Sequence, residues 1–89
     1  MKVVWTSQFK KDYKRAGKRG HPLDELKRIV QELADGKMLD AKQRDHPLKG
    51  FGKKSYRECH IGPDWLLIYR IEEDAIVFMR TGTHSDLFK

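Results

Sequence analysis

Two hydrophobic periods divide the chain. Up to residue 36 the apolar positions recur at helical spacing, and from residue 55 they recur at every second residue. Phe9, Tyr13 and Ala16 fall at i, i+4 and i+7 with Lys10, Lys11, Lys14 and Arg15 between them. That spacing predicts an amphipathic helix with a basic outer face. Ser7 or Thr6 offers a hydroxyl to cap its first free N–H, and Gly17 and Gly20, bracketing Lys18 and Arg19, break it. Pro22 suits the first turn of a second helix, where its missing N–H has no partner to lose. Asp24 and Glu25 complement the positive end of that helix's dipole. Leu23, Leu26, Ile29, Val30 and Leu33 make its apolar stripe, and Asp35-Gly36 ends it.

The strands flank these helices. Residues 2–5 are β-branched and aromatic and read as a short strand. Residues 55–61 alternate, 65–71 are nearly continuously apolar, and 75–81 form a last strand. The apolar run at 65–71 predicts a central strand covered on both faces. Gly62-Pro63-Asp64 and Glu72-Glu73-Asp74 supply the turns. Residues 37–54 are the least regular, with Met38, Leu39 and Leu48 as anchors and 46–49 as a short edge strand beside Pro47. Sequential strands joined by tight turns imply an antiparallel meander. The prediction is therefore an α+β fold. An N-terminal strand and a helical hairpin pack on one face of a small, mainly antiparallel twisted sheet, in one domain over residues 1–89.

Charge changes this picture. The chain carries 38% apolar and 36% charged residues and a formal net charge of +6. Residues 1–57 hold 16 Lys or Arg against 7 Asp or Glu, a net of +9, and residues 58–89 hold 3 against 6, a net of −3. The basic excess thus falls on the helices and the irregular segment, which favours a polyanionic partner. Cys59 is the single cysteine, so no internal disulfide forms and a reducing compartment fits. Its place in an alternating strand predicts a packed thiol. The N-terminus turns polar too early for a signal peptide, and no apolar run reaches membrane-spanning length.

Candidate chemistry sits in three stretches: 45–50 with His46, 60–65 with His60 and Asp64, and 80–89 with Arg80, His84 and Phe88. By strand parity Tyr56, Glu58 and His60 share a face, as do Ile76, Phe78 and Arg80. If the last strand runs past Gly82, His84 keeps that parity. If that strand also pairs with the hairpin at 62–64, His60, Asp64, Arg80 and His84 converge, with His46 approaching from the irregular loop. Such a set suits RNA cleavage: a base takes the 2′-OH proton, the oxygen attacks phosphorus, and an acid protonates the departing 5′-oxygen. A fixed Arg then stabilises the charge that builds on the non-bridging phosphate oxygens. Phe88, Trp65 or Tyr56 offers a ring for a base to stack on. The bland alternatives stand beside this. A lone His is often a surface or structural residue, Asp64 is a common turn residue, and Arg80 is placed to pair with Asp64 or Glu58. The His residues lack a compact ligand spacing, so no metal or other cofactor is expected.

The same residues carry a family resemblance. Asp45-His46-Pro47-Leu48-Lys49-Gly50, then 56–69 (YRECHIGPDWLLIY), then 80–88 (RTGTHSDLF) resemble the YafQ branch of the RelE/ParE toxin superfamily, in order and over nearly the whole chain. The resemblance implies a type II toxin, a metal-independent endoribonuclease that cleaves mRNA in the ribosomal decoding site. It implies a cognate antitoxin, often a ribbon-helix-helix DNA-binding protein, with operator DNA bound only through the complex, and a cytoplasmic location with no membrane partner. It places His46, His60, Asp64, Arg80, His84 and Phe88 in the active site, with His84 as general acid and Asp64 or His60 as base. Lys10, Lys11, Lys14, Arg15, Lys18, Arg19, Lys49, Lys53 and Lys54 are the expected RNA- or ribosome-binding cations. Two other readings remain: a gyrase-targeting toxin of the ParE kind, which generally lacks this His set, and a non-catalytic RNA- or ribosome-binding module.

Overall fold

The change of period is realised as a five-stranded sheet with two long helices against one face. A computed structural model describes residues 2–48 and 56–88. In chain order the elements are β1 (Lys2–Trp5), α1 (Ser7–Lys18), α2 (Leu23–Ala34), a 3-10 turn (Ala41–Gln43), β2 (His46–Pro47), β3 (Tyr56–Gly62), β4 (Trp65–Ile71), β5 (Ala75–Gly82) and a short α3 (His84–Leu87). The sheet order is β1-β5-β4-β3-β2. The β2–β3, β3–β4 and β4–β5 pairs are antiparallel, and β1 joins β5 in parallel. The meander and the α+β architecture are as the sequence predicts, and the edge strand expected over 46–49 is present as the shorter β2, His46–Pro47. Lys49, Lys53, Lys54 and Ser55, on which expectations also fell, lie outside the described residues.

Helix α1 begins because Thr6, not Ser7, caps it: the Phe9 N–H donates to Thr6 Oγ1 at 3.0 Å. Its apolar side buries Phe9 and Ala16, and α2 buries Leu26, Ile29, Val30 and Leu33. These meet Cys59, Ile61, Trp65, Leu67, Tyr69, Ile76 and Phe78 from the sheet. Pro22 stands at the N-cap of α2 rather than inside its first turn. Strand β4 is central and buried from Trp65 through Tyr69, as its apolar run requires. Cys59 is a packed thiol, and burial pushes its pKa far up.

Two features of β5 depart from simple alternation. Tyr69 pairs with Phe78 while its neighbour Ile68 pairs with Arg80, so Met79 is an extra residue on β5. The bulge reverses the parity, and Arg80 therefore does not share the face of Ile76 and Phe78. Phe78 points into the helix-side core, and Arg80 stands in register with Ile68 on the opposite face. The strand also ends at Gly82. Thr83 then caps α3, so His84 opens a helix rather than prolonging a strand.

Candidate active site

Cross-strand pairing lays out the face away from the helices in rows. Gly82, Leu66 and His60 form one row, and Arg80, Ile68, Glu58 and His46 form the next. The rings run on across this face. His46 and His60 lie 6.4 Å apart, His60 and His84 6.2 Å, and His84 and Phe88 6.4 Å between centroids. The three separated stretches of sequence thus meet at one end of the sheet.

His46 is held from behind by its own loop. Arg44 adopts a left-handed backbone with φ 49°, uncommon for a residue with a Cβ. Its carbonyl oxygen lies 2.6 Å from His46 Nδ1. A carbonyl only accepts, so Nδ1 carries the proton and Nε2 faces the sheet. Asp45 locks the same loop to the helix side, accepting from Tyr69 Oη at 2.7 Å and Arg57 Nε at 3.1 Å. Glu58, only 6% exposed, stands between two histidines: its Oε1 is 3.6 Å from His46 Nε2 and 3.7 Å from His60 Nε2. A groove of about 450 Å³ opens beside His60, bordered by Lys42, Arg44, Gln43 and Pro63.

Asp64 and His84 form the second half of the site. Asp64 Oδ1 accepts from the His84 backbone N–H at 3.0 Å and lies 2.7 Å from His84 Nδ1. The His84 backbone N–H, then its ring, hold the Asp64 carboxyl below the usual carboxylate range. The ring consequently presents Nε2 outward. Helix α3 is fixed by a reciprocal cap: Asp86 N–H donates to Thr83 Oγ1, and Asp86 Oδ2 accepts from the Thr83 N–H at 3.0 Å. Arg19 pairs with the same Oδ2 at 2.7 Å, and Arg15 stands 3.7 Å from it.

Gly82 is required at this junction by contact. A Cβ there would lie 2.9 Å from Asp86 Oδ2 and 3.0 Å from Asp86 Cβ. Gly82→Ala should destabilise the chain by about 1–3 kcal/mol through overpacking, with faster hydrogen exchange in α3 than elsewhere. The Arg19 guanidinium, then the Thr83 backbone N–H, lower the Asp86 pKa strongly. A lowered native value means stability that is fully present above the ordinary Asp range, about 4, and lost as pH falls through the native value. Acidification below about pH 4 should loosen α3, and Asp86→Asn should flatten that part of the stability–pH curve.

Arg80 meets neither Asp64 nor Glu58 but a buried carboxylate on α1. Asp12 is 2% exposed and accepts from Arg80 Nε at 2.7 Å and Arg80 Nη2 at 3.3 Å. It also accepts from Arg15 Nη2, Gln8 Nε2 and the Thr81 N–H at 3.1–3.2 Å. Lys10, Lys11, Lys14 and Lys18 lie on the exposed side of α1, whereas Arg15 and Arg19 are engaged with Asp12 and Asp86.

A family model for the bacterial YafQ toxin of type II toxin–antitoxin systems matches residues 1–89. The chain belongs to the YafQ toxin family. It is 40% identical over 87 residues to the mRNA interferase toxin YafQ of Escherichia coli K12, covering 97% of this chain and 94% of that protein. Its fold superposes on the E. coli DinJ–YafQ complex with a TM-score of 0.91 at 40% identity, covering 98% and 97% of the two chains. A metal-bound toxin from Helicobacter pylori gives 0.91 at 42% identity, covering 99% of each. Among the described residues no group of three or more His, Cys, Asp or Glu stands close enough to hold a metal ion.

For this YafQ-family chain, His46, His60, Asp64, His84 and Phe88 come together at one end of the sheet, and Arg80 stands one row away with its guanidinium turned to α1. Sequence reasoning missed three contributors as site residues. Glu58 was visible as the residue that shares His60's strand parity. Asp12, an acid amid the basic helix, stands one position before Tyr13 in the apolar repeat. Arg44 gave no signal, because its role is a backbone conformation.

Proposed function

We propose that the chain is an endoribonuclease toxin that cleaves mRNA during translation. The observation that carries the reading is the His60–His84 pair, 6.2 Å apart, with His84 oriented by Asp64. A phosphodiester seated between the two rings has a group on each side for the two proton transfers. His84, with Nδ1 engaged by Asp64, delivers the proton on Nε2 to the departing 5′-oxygen. His60 takes the 2′-OH proton as that oxygen attacks phosphorus. The products are a 2′,3′-cyclic phosphate and a 5′-hydroxyl. Asp64 fits the role of base less well, since its lowered pKa makes its carboxylate the weaker acceptor and His84 already occupies it. Glu58 faces both His46 and His60 and supports the charge each gains on protonation. Arg80, held by two bonds to Asp12, keeps Nη1 for the charge that develops on the non-bridging phosphate oxygens. Phe88, 40% exposed beside His84, is a stacking surface for a base.

The partners follow from the same reading. The DinJ–YafQ assembly of the E. coli relative supports a cognate antitoxin for this chain. The lysines of α1 supply salt-dependent attraction to ribosomal and messenger RNA. So small a set of catalytic groups relies on the ribosome to hold the codon in line for attack. The reading places the protein in the cytoplasm with the translating ribosomes. No helix among the described residues is long and apolar enough to cross a membrane.

The test is a map of mRNA 5′ ends after a brief expression pulse, with wild type and His84→Ala side by side. New ends in frame with codons, present only for wild type, are the expected result. Growth arrest without new ends would overturn the reading and direct attention to DNA supercoiling.

A further inference from the structure

The mechanism leaves one buried polar group unexplained. Trp65 is 2% exposed, and its indole Nε1–H is the one buried side-chain polar atom without a hydrogen-bond partner among the described residues. A buried donor without an acceptor is rare and points to a role. Trp65 lines a pocket of about 300 Å³ with His21, Pro22, Ile61, Pro63 and Thr83. Asp64 stands at its rim, and that carboxylate is the one that orients His84. The pocket therefore adjoins the reacting groups, and it shares Ile61, Gly62 and Pro63 with the His60 groove.

We infer that this pocket receives an unpaired nucleobase of the RNA next to the cleaved bond and reads its edge through Trp65 Nε1–H. The inference rests on the nuclease reading above. Three observations choose a base over a phosphate. The walls are largely apolar and aromatic: Trp65, Pro22, Pro63 and Ile61. The carboxylate at the rim, Asp64, repels an anion. The single unpaired donor asks for a neutral acceptor, such as a base carbonyl or ring nitrogen. The shape agrees as well. The His21 ring already lies on the indole, 4.7 Å away and within 22° of parallel, so the platform accepts a flat heteroaromatic ring. His21 stands in the turn between α1 and α2, outside both helices, and a base edge reaches Nε1 as its ring gives way.

The pocket would thus add sequence preference without touching the proton transfers. Trp65→Phe removes the N–H and keeps a ring in place. Since that N–H has no partner within the described protein, the change costs no internal hydrogen bond there. In a bacterial translation extract, wild-type protein is expected to cut with a base bias at one position flanking the cut. Trp65→Phe should weaken that bias by about threefold to tenfold, the worth of one hydrogen bond, while cutting continues. His21→Ala, a change in a surface turn, should shift the same position. Should Trp65→Phe fail to fold, His21→Ala decides alone. An unchanged bias in the folded variants overturns the inference and leaves the nuclease reading intact. A change in antitoxin affinity with no change in bias assigns the pocket to the antitoxin and also overturns it. Absence of cutting by wild type fails the nuclease reading itself.

Discussion

His84→Ala is expected to lower mRNA cleavage by about 10²- to 10⁴-fold, the range for loss of a positioned proton donor. The same change should leave stability within about 0.5 kcal/mol of wild type. The His84 side chain is 56% exposed, and its bonding partner Asp64 is 62% exposed. Helix α3 is held by Thr83, Asp86 and Arg19, none of which needs the imidazole. The Asp64 bond to the His84 backbone N–H also survives the substitution. Asp64→Asn separates orientation from acidity. Its amide oxygen still accepts from the backbone and ring N–H, but the negative charge that favours the imidazolium is gone. A loss of about 10- to 100-fold is expected, smaller than for His84→Ala. Equal cleavage by His84→Ala and wild type, at equal expression and melting temperature, would remove His84 from the chemistry. A fall in melting temperature of several degrees would instead show that the ring supports α3.

Most of the fold is legible in the sequence because its signals are periodic. The stripe Leu26, Ile29, Val30 and Leu33 fixes which face of α2 is buried, and the run from Trp65 to Tyr69 fixes the central strand. The site is legible in its residue types and not in its geometry, for two local reasons. Parity arguments assume unbroken pairing, and one extra residue at Met79 moves Arg80 to the other face. Helix capping at Thr83 competes with strand continuation, and the capping box with Asp86 wins once Gly82 allows α3 to fold close. The threonine, the aspartate and their spacing were all in the chain. What period two does not reveal is that the last strand stops there. The Arg80–Asp12 pair joins residues 68 positions apart, and no local pattern signals such a contact. An acid on a basic helix reads as charge balance until the sheet is laid against it.

Asp12 therefore carries the largest expected effect on stability. Five hydrogen bonds from four residues converge on a carboxylate that is 1% exposed at the side chain. Asp12→Ala removes the acceptor for the buried Thr81 N–H and leaves the Arg80 guanidinium, 29% exposed, without its counter-charge. Breaking a buried pair from one side costs about 3–5 kcal/mol, which for a chain of this length is a fall of roughly 15 °C or more in melting temperature. Asp12→Asn keeps the shape and one acceptor oxygen but turns an N–H₂ toward the guanidinium, so a smaller loss, about 1.5–3 kcal/mol, is expected. The two roles of the pair separate in a double-mutant cycle. If Asp12 acts mainly on Arg80, the stability losses of Asp12→Asn and Arg80→Ala fall short of additive by about 1 kcal/mol or more. Cleavage by the folded Asp12→Asn protein, measured well below its melting point, should then drop nearly as far as for Arg80→Ala, because a guanidinium no longer held in place stabilises the transition state poorly. Additive stability losses, with cleavage by Asp12→Asn near wild type, would reduce Asp12 to a clamp between α1 and β5. Arg80 would then find its working position without it.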